Sequence, residues 1–207
     1  MLNIGALVSG GGTNLQAIID VIERNEIPAR LAIVISNIPD AYALERAKKH
    51  NIPSVCISHK GKTREQHELE IIRMLDENNV GLVVLAGYLR MLTPEFIRHY
   101  KYKIMNIHPA LLPSFGGIGM HGENVHKAVL EAGCKVSGCT VHFVDEGIDT
   151  GPIIVQKSVD VKEGDDHKAL AERILEQEHE MFPLAIKLFA EGRLKIVGKT
   201  VVIEDKK

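Results

Sequence analysis

No apolar run in this chain approaches the roughly 18 residues that a helix needs to span a bilayer. The first residues, MLNIGALVSGG, carry no basic segment and break into glycine too soon for a secretory signal, so a cytoplasmic protein is expected. Cysteine is scarce as well. Of the three, Cys134 and Cys139 have a spacing that no common zinc pattern uses, and Cys56 stands alone in an apolar stretch. Buried free thiols in a reducing compartment are expected, rather than a disulfide framework. His121, His126, His142, His167 and His179 show no HExxH or facial-triad spacing, so no metal site is expected. Excess charge is also missing: a formal charge of −2 excludes a basic surface coating nucleic acid, and 45% hydrophobic residues exclude disorder. There is no internal repeat, low-complexity tract or linker. The 207 residues therefore suit one domain, 1–207, with a small-molecule partner.

Apolar runs alternate with helical patterns through the first half. Strands are expected at Ile4–Val8, Leu31–Ile35, Ser54–Ile57, Leu82–Ala86 and Lys103–Ile107, and helices at Asn14–Arg24, Ala41–His50, Arg64–Asn78 and Pro94–Tyr100. Thr63 followed by Gln66, and Thr93 followed by Pro94, read as helix starts. This βαβ rhythm predicts an α/β fold, a Rossmann-like and mostly parallel twisted sheet flanked by helices. After residue 110 the rhythm changes. A helix near Glu123–Ala132, strands near Lys135–Val144 and Ile153–Val161, a helix from about Asp166 to Glu191 and a hairpin turning at Gly198-Lys199 follow, with the late strands antiparallel at the edge.

In such sheets ligands bind beyond the carboxyl ends of strands, and SGGGTN at residues 9–14 lies at one of them. A Walker A loop would need a following Gly-Lys-Ser/Thr, and the dinucleotide fingerprint fails because Leu15 stands at its third glycine. A run of exposed N–H groups, a threonine hydroxyl and an asparagine amide at a helix start suits a single terminal phosphate. The plainer alternative is a tight turn with Thr13 or Asn14 as N-cap, and the local pattern leaves the two open.

In KIMNIHP, residues 103–109, strand alternation puts Asn106 and His108 on one face, with Pro109 ending the strand. An amide donor and an imidazole thus meet at a strand's carboxyl end. DEGIDTGP, residues 145–152, adds Asp145, Glu146 and Asp149, and composition does not choose among them as a catalytic acid or base. In the long C-terminal helix, Leu170, Ala171, Ile174, Leu175, Met181, Phe182 and Ala185 form an apolar stripe with Glu178 in its middle. A carboxylate placed there needs a partner, a site or a route to solvent.

Together SGGGTNLQAII, LAGYLRMLTP, NIHPALLPSF, VHFVDEGIDTGPII and QEHEMFP occur in the order found in the folate-dependent phosphoribosylglycinamide formyltransferases, and the chain resembles that family over nearly its whole length. The resemblance implies formyl transfer from 10-formyltetrahydrofolate, a co-substrate and not a tightly bound cofactor, to the amine of glycinamide ribonucleotide in purine synthesis. It makes Asn106, His108 and Asp149 the catalytic group and gives the substrate phosphate to Gly12, Thr13 and Asn14. Glu178 is placed at the ribose and amine end, and Arg64, Leu89, Arg90, Met91, Leu92, Asn106 and Asp149 at the folate. Composition alone would leave Arg64, beside Glu65 and Glu68, on a solvated face. The implied halves are a phosphate-binding one at about 1–100 and a catalytic and folate-binding one at about 101–207. Implied partners are small molecules alone, with no nucleic acid or membrane, for a monomer or homodimer.

No nucleophilic serine or cysteine is called for, because the amine is itself the nucleophile. One departure concerns a loop: where the family usually reads Pro-Gly after LLPSF, this chain has Gly116-Gly117. Two related activities compete. A formyl-folate hydrolase would use the same three residues with water as acceptor, and its family carries an N-terminal regulatory domain that a first strand starting at residue 2 is not expected to accommodate. A formyltransferase acting on initiator tRNA would need a further domain and a basic face.

Overall fold

The alternating pattern folds as its periods dictate. In the computed structural model, which describes residues 1–206, the first half runs β1 (Leu2–Val8), α1 (Thr13–Glu23), β2 (Ala29–Ser36), α2 (Tyr42–Lys49), β3 (Ser54–Cys56), α3 (Arg64–Glu77), β4 (Leu82–Leu85), α4 (Pro94–His99) and β5 (Ile104–His108). Each expected element is present, with ends shifted by a residue or two. The chain divides into two compact units, Met1–Met105 and a second beginning at Asn106, so the division falls inside β5.

In the first unit the strands lie side by side as β3-β2-β1-β4, all parallel. Ile4 through Val8 are buried without alternation, as in a parallel strand covered on both faces. The helix starts follow their sequence signals. Thr63 Oγ1 accepts from Gln66 N at 3.2 Å while Thr63 N donates to Gln66 Oε1 at 3.0 Å, a complete capping box. Thr93 caps α4 through Oγ1, with Pro94 in the first turn. Thr93 is held in turn by the buried Glu68 carboxylate, which accepts from both its N–H and its hydroxyl. Burial raises the Glu68 carboxyl above the usual carboxylate range, and the Thr93 bonds oppose that shift.

The second unit continues with α5 (Glu123–Glu131), β6 (Val136–Phe143), β7 (Ile153–Asp160), α6 (His167–Ala190), β8 (Leu194–Val197) and β9 (Thr200–Ile203), its strands ordered β6-β7-β9-β8. β6 and β7 are antiparallel from Val136 opposite Asp160 to His142 opposite Ile153, and β8 and β9 form an antiparallel hairpin. β9 lies parallel to β7, an orientation the long crossover through α6 permits. Asp166 caps α6 by accepting from Lys168 N and Ala169 N at 3.0 and 2.8 Å. The thiols depart from expectation. All three are free, but only Cys139 is buried, while Cys56 and Cys134 are half-buried.

Among the described residues no helix is long and apolar enough to cross a membrane.

Candidate active site

The glycine-rich loop opens the first unit's site. Neither Thr13 nor Asn14 is the N-cap of α1; Gly12 holds that position, with φ 71° and ψ 37° and no side-chain cap. A left-handed residue at the cap suits glycine, and an added Cβ there would lie 2.6 Å from Ala43 Cβ of α2. Thr13 and Asn14 therefore sit inside the first helical turn, where the N–H groups have no intrahelical acceptor. At Gly10 and Gly11 the space where a Cβ would stand is empty to 4 Å, so the loop's outer side is open.

Of the residues assigned to folate, Arg64 is exposed at the first position of α3, and its charge favours the ionised forms of Glu65 and Glu68. Leu89 and Met91 are apolar yet 68% and 52% exposed, with Arg90 and Leu92 half-buried between and beside them. Ser9 Oγ fixes the start of this segment, accepting from Leu89 N at 3.0 Å and donating to Asn37 Oδ1 at 2.6 Å.

In the second unit, β5 delivers Asn106 and His108 to one cluster with Asp149 from the β6–β7 loop. Asp149 Oδ2 lies 3.6 Å from His108 Nδ1, and Oδ1 lies 3.7 Å from Nε2 of a second histidine, His142 on β6. Both separations exceed a hydrogen bond but are short for charges in a buried setting. Asp149 adopts φ 56°, a left-handed conformation that costs a non-glycine residue about 1 kcal/mol. Gly117 N donates to Oδ2 at 3.1 Å and holds the carboxylate in place. The rest of the 145–152 loop is braced by Asp145, whose Oδ1 accepts from Gly147 N and Thr150 Oγ1 at 3.1 and 2.7 Å. Asp145 is thus a turn residue and Asp149 the carboxylate at the cluster, a choice that composition left open.

Two backbone carbonyls assign the tautomers. His108 Nε2 lies 2.8 Å from Phe115 O and His142 Nδ1 lies 2.9 Å from Phe143 O, so each of these nitrogens carries its hydrogen, because a carbonyl only accepts. The free nitrogen of His108 is then Nδ1, on the Asp149 side. Burial holds His142 below the usual histidine range against the opposing pull of Phe143 O and Asp149. Its Nε2 consequently offers a lone pair to the Asn106 amide, which donates across 3.3 Å. One Asn106 N–H is used in this way and the other is left for a ligand.

The sequence reading set His142 aside with the non-metal histidines. His142 lies near the end of β6, in VSGCTVHF, and is only 2% exposed. Glu178 lies in the buried stripe of α6 as its helical phase requires, 7% exposed. Burial first, and then the Glu178 carboxylate, push the neighbouring Cys139 thiol up to about 12. Among the described residues no group of three or more His, Cys, Asp or Glu side chains is arranged to hold a metal ion.

An amide, two imidazoles and a carboxylate meeting at a strand end can polarise a carbonyl oxygen and move a proton between two nitrogens. Residues 2–186 match the profile of the formyl transferase family. The chain is 41% identical over 196 residues to phosphoribosylglycinamide formyltransferase of Escherichia coli K12, covering 94% of this chain and 90% of that protein. It is 45% identical over 199 residues to the trifunctional purine biosynthetic protein adenosine-3 of Drosophila pseudoobscura pseudoobscura, but spans only 14% of that protein's length. The crystal structure of glycinamide ribonucleotide transformylase 1 from Symbiobacterium toebii superposes with a TM-score of 0.94 at 46% identity, covering 99% of this chain and 95% of that one. With the family profile matching most of its length and the fold coinciding with a solved transformylase, the chain belongs to the formyl transferase family.

Proposed function

We propose that this protein transfers the formyl group of 10-formyltetrahydrofolate to the primary amine of glycinamide ribonucleotide. The observation that carries the reading is the Asn106–His142–Asp149–His108 cluster at the end of β5, in a chain similar over nearly its whole length to an enzyme of that name.

Attack of the amine on the formyl carbon gives a tetrahedral centre bearing an oxyanion. The free Asn106 N–H and, in its cationic form, His108 Nδ1–H are the donors for that oxygen. Nitrogen-to-nitrogen proton transfer completes the exchange: the incoming amine must lose a proton and the departing folate nitrogen must gain one. Asp149, beside His108 Nδ1, accepts and returns that proton directly or through water. Phe115 O keeps His108 Nε2–H occupied, so the donor this imidazole can turn on the oxyanion is the one on Nδ1.

Phosphate binding belongs in this reading to Gly12, Thr13 and Asn14, where first-turn N–H groups and the positive end of α1 favour an anion. Binding energy from that remote group positions the amine. Glu178 accepts from the ribose hydroxyls or the substrate ammonium, and Arg64 with Leu89–Leu92 takes the folate. The setting is the cytoplasm, with no tightly bound cofactor or metal, no nucleic-acid or membrane partner, and a monomer or homodimer as the working unit.

The test is to follow deformylated folate with purified protein and 10-formyltetrahydrofolate, with and without glycinamide ribonucleotide. Release that depends on the amine supports the transferase. Equal release without it would establish the hydrolase in its place.

A further inference from the structure

Gly12 caps α1 without a side chain, so the cap residue itself does not set the direction of the peptide groups around it. Two bonds from α2 act on the loop. Ala43 N donates to Gly10 O at 3.0 Å, and Arg46 Nε donates to Gly11 O at 2.8 Å. Two consecutive loop carbonyls are thereby drawn onto α2. The same guanidinium reaches α1 through Nη1, which donates to Gln16 Oε1 at 3.1 Å. Gln16 is itself held by Asp20, accepting from Nε2 at 2.8 Å, and by contact with His50 at 3.1 Å. The Tyr42 ring lies 5.0 Å from the guanidinium carbon and restrains the plane of the fork.

We propose that Arg46 is a positioning residue for the substrate's phosphate, clamping the Gly11 carbonyl away from the anion so that the following N–H groups face it. The inference rests on the reading of this loop as the phosphate holder. Its physical basis is the orientation of dipoles. A carbonyl oxygen turned towards a phosphate would repel it, whereas consecutive N–H groups facing one way make an anion-binding concavity. Both acceptors of Arg46 are neutral, so these bonds do not cancel its positive charge, and the phosphate experiences that charge beside the loop. Lysine would keep the charge but not the fork, since one ammonium on a flexible stem does not hold Gly11 O and Gln16 Oε1 in a fixed plane.

The test compares Arg46→Met and Arg46→Lys with the parent enzyme on glycinamide ribonucleotide and on the same glycinamide riboside without its phosphate. Arg46→Met should raise the KM for the ribonucleotide about tenfold, as loss of a charge-assisted hydrogen bond implies. The kcat at saturation, the folate KM and the KM for the riboside should stay within about twofold. Arg46→Lys should fall between parent and Arg46→Met on the ribonucleotide, and it carries the test if the methionine variant does not fold. A rise shared equally by ribonucleotide and riboside, or no rise in either, overturns the inference. If the parent enzyme itself does not distinguish ribonucleotide from riboside, the loop does not hold the phosphate, and the underlying reading fails together with the inference.

Discussion

The side-chain amide of Asn106 donates to Nε2 of His142 across 3.3 Å, so the orientation of one donor in the cluster is set by a histidine from a different strand. The relationship requires His142 to be neutral, which its burial ensures. His142→Leu should therefore lower kcat about tenfold, the worth of one oriented neutral hydrogen bond, with KM values little changed. Steady-state kinetics on the folded variant decide it: an unchanged kcat would mean that Asn106 is oriented by other contacts.

The same neutrality gives a pH dependence of stability. A histidine whose folded pKa lies below its unfolded value near 6.5 contributes fully above that pH, and the contribution is lost as pH falls from there towards the folded pKa. His142→Gln should flatten this acid-side loss. Urea midpoints of parent and variant at pH 7 and pH 5 provide the comparison, and parallel losses in the two proteins would refute the assignment.

Asn106→Ala, His108→Ala and Asp149→Ala should each lower kcat by about 10²–10³, with much smaller effects on ligand Kd, as for groups acting chiefly in the transition state. The His108 and Asp149 losses should be strongly non-additive in the double variant, because the two side chains lie 3.6 Å apart and act as a unit. Near-parental turnover in any folded single variant would remove that residue from the mechanism.

Gly116 leaves little room for a side chain. A Cβ would stand 2.7 Å from Leu112 Cδ2 and 3.3 Å from Asp149 Cβ. The leucine end can turn aside, but Asp149 Cβ is attached directly to a backbone held in its left-handed turn. Gly116→Ala should thus displace the carboxylate, reducing kcat more than it reduces thermal stability. A variant that loses Tm but keeps kcat would place the strain on Leu112 instead.

Glu178→Leu should raise the KM for glycinamide ribonucleotide substantially and leave the folate Kd nearly unchanged. Leucine suits the apolar stripe formed by Leu170, Ile174 and Phe182, so Tm should hold. A large fall in Tm with unchanged KM would make Glu178 a structural residue.

The parallel half of the fold was readable because βαβ rhythm and caps such as Thr63–Gln66 are local signals, complete within a few residues. Gly12 as the α1 cap was not readable, since Thr13 and Asn14 are better side-chain caps and only the fit against Ala43, some thirty residues on, decides the matter. The parallel pairing of β9 with β7 was missed for a related reason: strand neighbours after a long crossover are set by packing, not by sequence pattern. At the site, alternation alone brought Asn106 and His108 together, whereas Asp149 needed family resemblance to separate it from Asp145 and Glu146. His142 went unnoticed because a lone histidine in a strand carries no spacing signature.

The acceptor that fixes the His108 tautomer is the main-chain carbonyl of Phe115, an atom every amino acid supplies. Side-chain replacement at position 115 therefore does not delete the contact, and the proton inventory of the cluster is insulated from point mutation there. What guards it is the path of the chain, with Phe115 at φ 54° just before two glycines. Insertions, deletions or residues that redirect the backbone of this loop are then the changes able to alter which imidazole nitrogen carries its hydrogen, whereas a change of side chain at position 115 leaves the acceptor in place.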